Sequence, residues 1–242
     1  MKKVIIGMII LIAYAGMIYG EEMTVEKLIN RVKQNVNRIN DLRGNVEITY
    51  KIVGKELKQT MEIWYKKPNK FKLIAISSTG VPTMSSASDG LNAYDKSKIL
   101  YYEDKIRKYK PCKGNDYFPF KVNYYFDYDT MFEIILKGSN PLLTKISDFE
   151  YKIETQVVET NKKNEVWIDY EKGLIMGYNI LFKNRRYRSE IKESVRYGVV
   201  NFPVNIKNET FNVGIDINLR TEILWKDVRI NGGIKDKEFI IE

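Results

Sequence analysis

Residues 62–75, EIWYKKPNKFKLIA, place two short apolar and aromatic runs on either side of Lys66-Lys67-Pro68-Asn69-Lys70. Two readings compete. A base-stacking surface needs aromatics along one sheet face, with a continuous basic track beside them. A hairpin needs alternating residues on each side of a turn, and Pro-Asn supplies the turn because proline presets one corner and asparagine tolerates the next. The lysines cluster at the turn and otherwise alternate with apolar residues, as strands with one wet face require. The stretch therefore predicts a β-hairpin and no nucleic-acid surface.

Working upstream, Leu57, Gln59, Met61, Ile63 and Tyr65 continue the period of two, Gly54-Lys55 makes a turn, and Val46, Ile48, Tyr50 and Ile52 form the preceding strand. Before Gly44 the period changes. Val25, Leu28, Ile29, Val32, Val36, Ile39 and Leu42 recur every three or four residues, which predicts one amphipathic helix with Thr24 as N-cap and Gly44 as its stop.

Downstream, Asp89-Gly90 marks a turn, short strands follow at 91–94, 99–102 and 105–110, and Tyr117 to Tyr128 is an aromatic-rich loop read as a surface lid or binding lip. Tyr128 to Lys137 predicts a second short helix stopped by Gly138. Past Pro141 the period of two dominates to Trp225, with turns expected at Asn161-Lys162, Glu171-Lys172-Gly173, Lys183-Asn184, Tyr197-Gly198 and Asn208-Glu209. The fold class expected is mainly β with two or more helices (α+β): a strongly curved antiparallel sheet of about ten strands, with helices against it. Its concave side is then either filled by its own side chains or covered by the helices around a cavity.

The first twenty residues, MKKVIIGMIILIAYAGMIYG, carry two lysines, an uncharged apolar run and small residues at Gly16 and Gly20. They read as a cleavable signal peptide ahead of a single domain over 21–242, the competing reading being a retained anchor. The only cysteine, Cys112, lies far from that segment, so lipidation is not expected and an internal disulfide is impossible. The 242-residue chain has no histidine, which removes the commonest general base and metal ligand. The carboxylates Asp127, Asp129, Glu103 and Asp104 stand beside lysines in predicted loops and read as solvated charge. The net charge of +9 is spread widely and reads as surface. Neither catalysis nor a cofactor nor a metal is expected.

The order of these elements, with WYKKPNKFKL (64–73), the Ser88-Asp89-Gly90 turn, VWIDYEKG (166–173) and DKEFIIE (236–242), resembles the outer-membrane lipoprotein carriers, the LolA/LolB-like superfamily that includes RseB-type periplasmic sensors. The resemblance implies an open, incomplete β-barrel covered by helices, with an apolar cavity for acyl chains. It implies a soluble, monomeric periplasmic carrier of lipid or lipoprotein acyl chains, taking cargo from an inner-membrane donor to an outer-membrane acceptor. A regulatory sensor of the same fold, with a membrane-bound signalling partner, is the alternative. By motif position Phe71 and Leu73 fall where the carriers line or flank their cavity. The lining expected comprises Ile48, Tyr50, Ile63, Phe71, Leu73, Phe132, Ile135, Trp167, Ile180 and Trp225, with ordinary core packing as the competing reading for each. Lys67 stands where the carriers place an arginine that latches the helical lid, and lysine lacks the planar fork that makes such a latch multidentate.

Overall fold

The computed structural model describes residues 22–52, 54–68, 70–76, 82–89, 93–97, 105–108, 123, 128–157, 162–212 and 218–239. The expected signal peptide, the Cys112 loop, the strand at 99–102 and nearly all of the aromatic lip lie outside them.

Helix α1 (Val25–Asn37) is capped by Thr24, whose hydroxyl accepts a hydrogen bond from the Lys27 N–H at 3.3 Å. The helix ends seven residues before Gly44. Ile39 follows it and Leu42 already belongs to strand β1 (Asp41–Ile52), so their apolar spacing extends the helical pattern by coincidence. Gly44 is a strand glycine with a packing role: a Cβ there would lie 3.1 Å from the Trp225 ring.

From β1 the chain meanders outward through β2 (Lys55–Lys66), β3 (Lys70–Ile76), β4 (Pro82–Asp89), β5 (Ala93–Ser97) and β6 (Lys105–Lys108). Helix α2 (Tyr128–Leu136) then leads to β7 (Ser139–Lys145) at the opposite edge. The return runs through β8 (Glu150–Gln156), β9 (Lys163–Asp169), β10 (Leu174–Phe182), β11 (Arg185–Tyr197), β12 (Val200–Asn212) and β13 (Asn218–Ile230), which pairs with β1. Among the described residues the result is one thirteen-stranded antiparallel sheet, in the order β6-β5-β4-β3-β2-β1-β13-β12-β11-β10-β9-β8-β7, open and curved and not closed into a barrel. A short 3-10 helix (Asp236–Phe239) packs against β3 and β4, with Asp236 bridging Lys66 at 2.7 Å and Lys70 at 2.8 Å.

Asn208-Glu209, expected as a turn, lies inside β12, where Asn208 faces Ser189 of β11 and Thr221 of β13. Proline in β7 is tolerated because that strand is an edge.

Candidate functional site: the inner face of the sheet

The two faces differ in chemistry, and the alternation of each strand decides which side chains go where. On the inner face Leu42, Val46 and Ile48 of β1 stand beside Tyr65 and Met61 of β2 and Trp225 and Ile223 of β13. The register continues through Ile206 and Ile191 to Tyr178, Val166 and Ile153, all buried. Both helices press their apolar sides into this cluster: Leu28, Val32 and Val36 from α1, and Met131, Phe132 and Ile135 from α2.

The structure turns nine of the ten residues expected from sequence towards the inner side of the sheet and packs eight of them together. Ile48, Ile63, Leu73, Phe132, Ile135, Ile180 and Trp225 are buried in the one core, with Tyr50 packed against it. Phe71 is half-buried on the same face, in register with Tyr65 and two residues from Leu73. Trp167 is the exception. Its neighbours Val166 and Ile168 point inward, so Trp167 points outward, where it borders a separate surface hollow with Asn179, Arg188, Glu190 and Lys207. An apolar residue between two apolar neighbours carries no alternation signal, and only the strand pairing fixes its side.

Towards the Asn208 end the inner face turns polar. Ser189, Asn208 and Thr221 lie side by side on β11, β12 and β13, buried, with Thr210 in the next row. Asn208 donates from Nδ2 to the Asn123 carbonyl at 2.9 Å, and the Trp225 indole N–H donates to Asn123 Oδ1. Four buried atoms of this end, Ser189 Oγ, Asn208 Oδ1, Thr210 Oγ1 and Asn123 Nδ2, have no hydrogen-bond partner among the described residues. Buried polar atoms almost always find partners, so these four set this end of the inner face apart from its apolar remainder.

Polar contacts fasten α1 to the sheet; of these only the Lys67 position is marked by a motif, and Asn35 shows itself only as a polar residue on the apolar stripe. The Arg31 guanidinium donates to the carbonyls of Tyr170 (2.9 Å) and Glu171 (2.6 Å). Asn35 donates to the Asn201 carbonyl at 2.8 Å and accepts from the Asn201 N–H at 3.0 Å, while Asn201 Nδ2 donates to the Lys172 carbonyl. Gly173 (φ +64°) lies so close to the helix that a Cβ would sit 2.8 Å from the Arg31 carbonyl oxygen. Lys67 Nζ donates to the Asn37 carbonyl at 2.6 Å, placing a cation at the helix C-terminus, where the helix dipole favours it. Burial holds the Lys67 ammonium pKa below the usual lysine value. Helix α2 meets α1 through the Lys33–Asp129 pair at 2.8 Å, which is exposed and therefore weak.

A crystal structure of a LolA superfamily protein from Nitrosomonas europaea superposes with a TM-score of 0.56 at 11% identity, covering 91% of this chain and 99% of that one. This is the LolA fold. A Vibrio parahaemolyticus domain named for outer-membrane lipoprotein sorting matches with a TM-score of 0.56 at 13% identity, over 89% of this chain and 97% of that one. A DUF1329 family protein from Desulfovibrio piger shares the LolA-like architecture at a TM-score of 0.52 and 14% identity, over 88% and 94% of the two chains. No protein-family sequence model matches the chain, and no curated protein sequence does either.

Proposed function

We propose that this protein is a non-enzymatic periplasmic carrier that shelters an acyl chain of a lipid or lipoprotein on the inner face of its sheet. The observation that carries the reading is the gathering of Ile48, Ile63, Leu73, Ile180 and Trp225 of the sheet with Phe132 and Ile135 of α2 into one apolar cluster, within a LolA-like fold. The name of the Vibrio relative, lipoprotein sorting, supplies the cargo class.

The two helices take different parts. Arg31, Asn35 and Lys67 fix α1 by hydrogen bonds that an alkyl chain cannot replace. Helix α2 presents Met131, Phe132 and Ile135 to the sheet, and an alkyl chain offers the same kind of surface, so α2 is the element that cargo displaces. Each methylene withdrawn from water contributes about 0.8 kcal/mol, so part of one acyl chain offsets the loss of the α2 contacts. The orphaned Ser189, Asn208 and Thr210 atoms then meet the ester or amide linkage at the head of the chain. Return of α2 at an acceptor membrane releases the cargo.

Trp225 reports on this directly. The chain has three tryptophans, and changing Trp64 and Trp167 to Phe leaves the inner-face indole as the only emitter. A brominated acyl chain, which quenches on contact, is expected to quench Trp225; unaltered emission at saturating probe would reject the inner face as the binding surface.

A further inference from the structure

The outer face carries one row of side chains that the carrier reading does not use. In register across four strands stand Arg229 of β13, Arg43 of β1, Trp64 of β2 and Lys72 of β3. Directly opposed residues share a face with Cβ atoms about 5 Å apart, and like charges so placed repel. Elsewhere on this face such crowding is neutralised: Lys51 and Lys207 share Glu222, Lys226 pairs with Glu47, and Lys152 pairs with Glu154 and Glu165. Neither Arg43, nor Arg229, nor Lys72 has a carboxylate partner among the described residues. The Arg43 guanidinium carbon lies 5.1 Å from the Trp64 ring centre and Lys72 Nζ 5.7 Å from it, so the indole, only 7% exposed, is flanked by two cations.

Beside this row lies a surface cavity of about 330 Å³, closed on its far side by residues 232–238. Its wall is fixed. Asn231 turns the chain back (φ 58°), donating to the Arg38 carbonyl at 2.8 Å and accepting from the Asn40 N–H at 2.7 Å. The wall adds Lys235 and Lys237. Two carboxylates line the cavity: Asp41, held in place by the N–H groups of Gly232 (2.8 Å) and Gly233 (3.1 Å), and Glu238, so four cations face two anions and the lining stays net positive.

We propose that this cavity is an anion site that takes a phosphate group, held between the Arg43 and Arg229 forks over the edge of Trp64. Guanidinium forks match the oxygens of a phosphate two at a time, and a bound dianion converts the Arg43–Arg229 repulsion into attraction. The phosphate belongs either to a soluble phosphate compound or to a phospholipid headgroup; the chemistry at the site is the same.

Thermal unfolding at constant ionic strength, with chloride replaced stepwise by inorganic phosphate, tests the site. The parent is expected to gain Tm with phosphate. Arg43→Gln and Arg229→Gln are each expected to lose that gain, with apparent phosphate affinity at least tenfold weaker, while remaining as stable as the parent, or more so, in chloride alone. Lys145→Gln on β7 keeps the parent response. A phosphate gain shared equally by both arginine variants, or absent from the parent, overturns the proposal. Cosedimentation with phosphatidylglycerol and phosphatidylcholine vesicles assigns the source: arginine-dependent retention on the vesicles identifies a lipid headgroup, and a response to inorganic phosphate without retention identifies a soluble phosphate.

Discussion

Replacing Gly173 by alanine tests how α1 is seated. Gly173 closes the Asp169–Gly173 turn, with its N–H donating to the Asp169 carbonyl at 2.8 Å and φ at +64°. Alanine suffers twice there. The left-handed backbone costs roughly 1–2 kcal/mol for any residue with a Cβ. The new methyl would also sit 2.8 Å from the Arg31 carbonyl oxygen and 3.0 Å from Asn35 Cβ, both on α1, and such overpacking costs about 1–3 kcal/mol. Gly198 is the internal control: its φ is +61°, yet nothing lies within 4 Å of a Cβ built on it. Gly198→Ala carries the backbone cost alone, and effects on the unfolded chain are common to both variants. The difference between them, about 1–3 kcal/mol, isolates the helix contact. With a urea slope of about 2 kcal/mol/M this separates the two midpoints by about 0.5–1.5 M. Coincident midpoints would refute the seating of α1 on this turn, and with it the division of labour between the helices.

Three further outcomes follow from particular contacts. Asp236, held down to a pKa of about 2 by hydrogen bonds from Lys66 and Lys70, has a depressed folded value. Its stabilisation is therefore present above the ordinary 3.8 and lost as pH falls towards 2, and Asp236→Asn is expected to flatten the stability–pH curve over that window; curves parallel to the parent would contradict it. Trp225→Phe removes the donor to buried Asn123 Oδ1 while keeping an aromatic ring beside Phe202; the expected loss is about 1–3 kcal/mol by chemical denaturation. Lys67→Met deletes the donor to the Asn37 carbonyl, and about 0.5–1.5 kcal/mol lost there raises amide exchange in the last turn of α1 roughly twofold to tenfold, leaving β12 unchanged.

The strands around EIWYKKPNKFKLIA were legible because local alternation and turn chemistry agree: Ile63, Tyr65, Phe71 and Leu73 point to the side their spacing predicts. Legibility failed where a residue's position depends on a remote strand. Asn208 has the composition of a turn and becomes a strand residue because β11 and β13 flank it on both sides. Gly44 resembles a helix stop until β13, about 180 residues away in the chain, brings Trp225 against it. The facing of Arg43 by Arg229 has the same origin, since the return of β13 to β1 cannot be read from either strand alone. The latch position is a mixed case. Lys67 was singled out by motif, and its bond to Asn37 is in the structure, while the more extensive fastening by Arg31 and Asn35 involves side chains whose partners are main-chain carbonyls in distant turns.

The central claim is that the inner face carries acyl cargo, and the direct measurement is mass spectrometry of the lipid that co-purifies with the protein. The comparison is with Leu73→Glu, a charge placed on that face at a position 8% exposed, in a variant first shown to unfold cooperatively. The account predicts acylated peptide or phospholipid bound to the parent and missing from the variant. Lipid absent from both, or present equally in both, would contradict it.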